Sequence, residues 1–122
     1  PFEQVYLNRA MSEKEYLGYF SSPELVLAMR GHAQMIPFGC VTPVVSIISH
    51  DKLKWFLEDI GHEEWGVDVR DAQFEEKLLD CCMGMLKNRT QICGQIEETQ
   101  EKLWEITCEN MQMIQRTLDA QE

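Results

Sequence analysis

Short, solid apolar runs alternate along this chain with segments of helical spacing. "LVLAM" (25–29) and "VVSII" (44–48) are unbroken and rich in branched residues, and "WGVDV" (65–69) supplies a third, shorter run. A run without polar alternation marks a strand buried on both faces, the habit of a parallel sheet. "QVYL" (4–7) reads as the end of a further short strand. Between the runs lie helices. Ser12 and Glu15 stand at capping-box spacing, which starts a helix through about Phe20. "SSPE" ends it. Residues 32–39 suit a short helix, with Pro37 near a break. Asp51 then serves as the N-cap of a helix whose Leu53, Phe56, Leu57 and Ile60 share one face, and Gly61 closes it. Asp71 starts another, with Phe74, Leu78, Leu79 and Cys82 in register. The alternation predicts an α/β fold: a Rossmann-like parallel sheet of about four strands, flanked by helices on both faces, over residues 1–89.

Residues 90–122 change the pattern. From Thr90 to Leu118 there is no proline, and only Gly94 weakens a helix. Ile92, Ile96, Leu103, Trp104, Met111, Ile114 and Leu118 form one stripe, with 104, 111 and 118 seven apart. Such a helix would be about 43 Å long. A compact body of this size is only about 35 Å across. The helix is therefore expected to overhang or kink, and its stripe to need a second body: a further domain or a second subunit. The stripe is too short and irregular to favour a coiled coil.

Composition narrows the class. Hydrophobic residues make up 44% of the 122, which suits a folded domain. No apolar run could span a bilayer and no signal-peptide pattern opens the chain, so a cytoplasmic location is expected. The first residue is Pro1, directly before an apolar segment, as in a piece of a longer protein. The net charge of −10 speaks against nucleic acid as a partner. The charge is uneven: residues 25–57 hold Arg30, Lys52 and Lys54 against Asp51 alone, or +2. A basic pocket in an acidic protein suits a small anion. Cys40, Cys81, Cys82, Cys93 and Cys108 include no C-x-x-C pair and no matching histidine spacing. Reduced, mostly buried thiols are expected, with no metal site.

In open parallel sheets ligands bind outside the carboxyl ends of the strands. Two such ends carry candidate chemistry. One runs into Arg30-Gly31-His32, the other into Ser49-His50-Asp51-Lys52. A helix starts after each, and helix N-termini attract phosphate or carboxylate. Arg30 offers a planar fork for either group. Gly31 lets backbone approach a ligand, and His32 can donate a hydrogen bond or move a proton. The plainer alternatives are an ion pair for Arg30, a hydrogen-bonded half-buried histidine at 32, and a solvated loop for His50 and Lys52. His62, amid "GHEEWG", reads as a surface loop residue.

The ordered series "LVLAMRGHAQMIPFGCVTPVVSIISHDKLKWFLEDIGH" resembles the C-terminal half of the polysaccharide pyruvyl transferase family. That family carries an R-x-H at a strand end, an apolar helix, a G-x-P-V-V-like strand entry and a lysine-bearing loop that opens a helix. The resemblance covers about residues 22–70. It implies the C-terminal half of a GT-B-like architecture, with the site in a cleft shared with a further N-terminal domain. It also implies phosphoenolpyruvate as donor substrate, with no other cofactor, and a sugar acceptor in exopolysaccharide or cell-surface glycan synthesis. Arg30, Gly31 and His32 would bind the donor, His32 as the catalytic residue, with His50 and Lys52 beside them. Two features depart from the family pattern: Gly31 replaces an often bulky residue, and "GCVTPVV" is about a residue longer. Two rival readings are the C-terminal domain of a GT-B nucleotide-sugar glycosyltransferase, with Glu58 or Glu64 on a ribose, and a non-catalytic α/β domain that self-associates through its last helix.

Overall fold

The computed structural model describes residues 2–7 and 10–121. Helix α1, Glu13–Ser21, begins with the full capping box. The Ser12 hydroxyl accepts from the Glu15 amide at 3.2 Å, and the Glu15 carboxylate accepts from the Ser12 amide at 2.8 Å. Next come β1 (Val26–Ala28), α2 (Gly31–Gly39), β2 (Val44–Ile48) and α3 (Asp51–Ile60). A short 3₁₀ turn, Glu63–Trp65, leads into β3 (Gly66–Asp68), followed by α4 (Phe74–Lys87) and α5 (Arg89–Asp119).

The three strands form one parallel sheet in the order β1-β2-β3, with Val26 opposite Val44 and Ser46 opposite Gly66. The expected strand at residues 4–7 does not form. Gln4, Tyr6 and Leu7 are exposed and outside any ladder. An apolar run becomes a strand only when an edge accepts its backbone groups.

Side chains alternate across the sheet, so Val44, Ser46 and Ile48 face one way and Val45 the other. Helices α2 and α3 cover the first face. Their register is fixed by Gln34, 1% exposed, whose amide donates to the Ser46 hydroxyl at 2.7 Å and to the Leu53 carbonyl at 3.0 Å. Gly66 belongs to the same layer. A Cβ there would run into Leu57 Cδ1 and crowd Ile48 Cδ1, so any larger residue has to push those buried ends aside. Gly61, in the left-handed region at φ 71°, closes α3 as its pattern predicts.

On the second face α4 packs along β3 and β2, and Val45 is fully buried. Cover stops at the edge strand. Leu27, on the same face as Val45, is 50% exposed, so β1 is not buried on both sides as its solid apolar run predicts. The five cysteines, expected to be mostly buried, are all half-buried and free.

Helix α5 is held at its first turns only. Arg89 Nε donates to the Glu24 carbonyl at 3.3 Å, Cys93 Sγ to the Val41 carbonyl at 3.5 Å, and Gln100 Nε2 to the Phe38 carbonyl at 2.7 Å. Val41 lies in the left-handed region at φ 59°, an outlier for a β-branched residue. The long "GCVTPVV" connection thus makes a tight kink before β2. From Trp104 onward α5 overhangs: the apolar residues after that point are exposed, apart from half-buried Cys108. Its 31 residues correspond to about 46 Å of helix.

Two changes measure these constraints. Gly66→Ala is expected to destabilise by about 1–3 kcal/mol, because buried Leu57 must give way. Gly94→Ala, where an added Cβ meets nothing within 4 Å, is expected to stabilise by up to about 1 kcal/mol. Urea midpoints at unchanged slope report both. Separately, Gln34→Leu strands the Ser46 hydroxyl and is expected to cost about 1–3 kcal/mol in the same assay.

Candidate functional site

The carboxyl ends of β1 and β2 lie side by side, and each turns at once into a helix. At the end of β1, Arg30 is the N-cap of α2, with extended backbone (φ −132°, ψ 150°). Gly31 and His32 form its first turn. At the end of β2, His50 is the N-cap of α3 (φ −159°, ψ 163°). The sequence assigns that role to Asp51. The extended backbone instead continues one residue further, and Asp51 opens the helix proper. Lys52 follows in the first turn.

Neither N-terminus carries a side-chain cap, in contrast to α1. Their first amides are therefore open to an outside acceptor. The two ends are joined by Ser49, whose hydroxyl donates to the Met29 carbonyl at 3.4 Å and sits 3.1 Å from His50 Nδ1. The sequence places Ser49 in the second strand end but gives it no role of its own. Its signal would have been a hydroxyl placed between a strand end and a predicted N-cap.

Arg30, His32, His50 and Lys52 are exposed, and Gly31 is half-buried. Among the described residues, Arg30 and Lys52 enter no ion pair. A purely structural role for Arg30, as half of an ion pair in the sheet, thus has no partner here. The arrangement offers one guanidinium, one ammonium, two imidazoles and two sets of helix-start amides at one sheet edge. That is hydrogen-bond donation to an anion, with imidazole available for proton transfer.

The edge continues past β3, whose end carries no candidate residue in the sequence. Asp68, the last residue of β3, accepts from the Arg70 backbone amide at 2.8 Å and from its guanidinium at 2.9 and 2.7 Å. These bonds hold its carboxyl down at about 2. A cleft of about 290 Å³ opens there between Asp51, Lys54, Glu63, Asp68 and Arg70, over a floor of Ile48, Leu57 and Gly66.

His62 is not the free surface residue its context suggests. Its ring stacks on buried Trp65 with centroids 3.8 Å apart, and Nδ1 lies 2.8 Å from Glu64 Oε1. Cys81 points toward the same turn, its thiol donating to the Glu64 carbonyl at 3.4 Å. Burial pushes that thiol up to about 11, with Cys82 and Glu64 adding to it. Among the described residues no three of His, Cys, Asp and Glu converge as a metal-binding set, and no helix is long and apolar enough to cross a membrane. No family model matches the chain, and no curated protein or solved structure is significantly similar to it.

The Cys81 thiol is tested by alkylation with iodoacetamide at pH 8. Modification at Cys81 is expected to be slower in the folded protein than in urea, because the folded thiol holds its proton to higher pH. The sign for stability follows. The folded value lies above the ordinary 9, so the contribution is present below pH 9 and is lost as pH rises towards 11. For Asp68 the sign reverses. Its lowered value gives a contribution present above the ordinary 3.8 and lost as pH falls towards 2, and Asp68→Asn should flatten the melting temperature over that window.

Proposed function

We propose that this chain is the donor-binding C-terminal domain of a polysaccharide pyruvyltransferase, with phosphoenolpyruvate held at the ends of β1 and β2. The observation that carries this reading is the pairing of two uncapped helix N-termini, one opened by Arg30 and one by His50, at adjacent strand ends. A donor bearing both a phosphate and a carboxylate has one anion for each helix start.

In this reading Arg30 clamps one anionic group bidentately, and Gly31 lets the donor approach the α2 amides. His50 and Lys52 serve the second group. His32 binds the donor and moves the proton. Two sugar hydroxyls add to the carbon bearing the phosphate. One of their protons goes to the methylene, making a methyl group, and the other leaves with the phosphate. The product is a pyruvate ketal. The acceptor would be held largely by a further domain across the cleft, as the GT-B-like architecture implies, and this chain alone would turn over poorly.

A nucleotide-sugar transferase would need a free carboxylate for ribose hydroxyls. Glu58 and Glu64 already hold partners within the chain, Lys54 at 3.5 Å and His62 at 2.8 Å. That favours the phosphoenolpyruvate reading.

Isothermal titration of phosphoenolpyruvate into the protein is the direct test. Removing a charged bidentate contact costs about 1.5–3 kcal/mol, so Arg30→Ala is expected to weaken binding roughly 10- to 100-fold. Equal affinity in the two proteins would remove Arg30 from the site. Tighter retention of a uridine nucleotide than of phosphoenolpyruvate in a thermal-shift series would favour the glycosyltransferase.

A further inference from the structure

We propose that the overhanging end of α5 pairs with the same segment of a second copy, antiparallel, about a two-fold axis at Met111. The pairing is independent of the donor site. Four large apolar residues, Trp104, Met111, Ile114 and Leu118, are each more than half exposed on one side of this helix. Their spacing is symmetric about Met111. In an antiparallel pair centred there, Met111 meets its own copy, Trp104 meets Leu118, and Ile114 faces Cys108. A two-fold contact must be self-complementary in this way, each residue i meeting j while j meets i.

Helix dipoles select the direction. A parallel pair would align them, whereas an antiparallel pair opposes them favourably. It also leaves the α/β bodies, which precede Trp104, at opposite ends of the pair, where they cannot collide.

The area is sufficient for specific association. Four such side chains expose roughly 500 Å² per chain, so a pair would bury about 1,000 Å², the lower bound for a specific interface. Ile106 and Met113 are also exposed, but they stand two residues from Cys108 and Met111 and face nearly the opposite way. They take no part in the seam.

Light scattering over a dilution series of the whole chain tests this. The expected mass is twice 14.2 kDa at high concentration, falling towards 14.2 kDa on dilution. Met111→Lys places two ammonium groups on the axis and is expected to give a monomer at all concentrations, with unchanged helical circular dichroism. Met113→Lys is expected to remain dimeric. Direction is read by mixing Trp104→Lys protein with Leu118→Glu protein. Each alone should be monomeric, and the mixture should form a heterodimer, because only an antiparallel pair puts that lysine beside that glutamate. A wild-type chain that is monomeric throughout overturns the proposal. So does a Met113→Lys chain that dissociates as readily as Met111→Lys, or a mixture that fails to associate.

Discussion

The side-chain amide of Gln34 ties one strand and two helices of this structure together. It lies in the first turns of α2, is buried against β2, and donates both its hydrogens: one to Ser46 at the centre of the sheet, one to Leu53 in the first turn of α3. A buried amide that left either donor unused would cost free energy, so the geometry is strongly specified. The consequence is positional. The starts of α2 and α3 are locked at the same height above the same strand, which brings the Arg30 and His50 ends to one edge. Hydrophobic packing alone would permit one helix to slide along the other, since apolar contact is not directional. The amide removes that freedom.

Capping chemistry is distributed unevenly. At α1 both capping-box bonds are made, and at α2 and α3 neither N-cap side chain reaches back. Serine, threonine, asparagine or aspartate is the ordinary choice for such a position. The chain uses serine at Ser12 but arginine and histidine at the two strand ends. A cap whose side chain does not reach back leaves the helix amides without an acceptor, and Arg30 adds further donors beside them. The local cost to helix stability and the attraction for an anion thus share one cause. This is what supports reading the edge as a site.

What could be read from the sequence divides along a physical line. Features set by near neighbours are legible: the Ser12–Glu15 box, the apolar face of α3 with Gly61 behind it, the strand-to-helix turns at Arg30 and His50, and the overhang of α5. Features set by partners distant in sequence are not. "QVYL" has the composition of a strand, but strand formation needs a vacant edge, and no pattern within four residues shows whether one exists. Leu27 looks buried because its neighbours are apolar, yet its exposure depends on how far α4 extends across the sheet. His62 pairs with nearby residues, but its stacking on Trp65 depends on the 3₁₀ turn between them. Gln34 carries no signal, since a lone glutamine in an apolar helix gives no hint of two buried acceptors. Ser49 shows no role in the sequence, because its acceptor, the Met29 carbonyl, lies twenty residues back.

The two candidate functional surfaces lie at opposite ends of the sheet. Among the described residues, the side-chain hydrogen bonds from the anchored part of α5 to the body reach carbonyls that precede a strand: Glu24 before β1, and Phe38, Gly39 and Val41 before β2. The Arg30 and His50 groups follow those strands. At about 3.3 Å per residue, the five residues of β2 separate the two ends by roughly 17 Å. Changes more than about 10 Å apart with no shared partner generally add. A substitution on the overhang should therefore leave an anion at the other edge unaffected, and loss of Arg30 should leave association intact. Coupling between them would have to run through elements that touch both: α2, which Arg30 opens and whose Phe38 carbonyl holds Gln100, or the strained kink at Val41, which joins the Cys93 contact on α5 to the entry of β2.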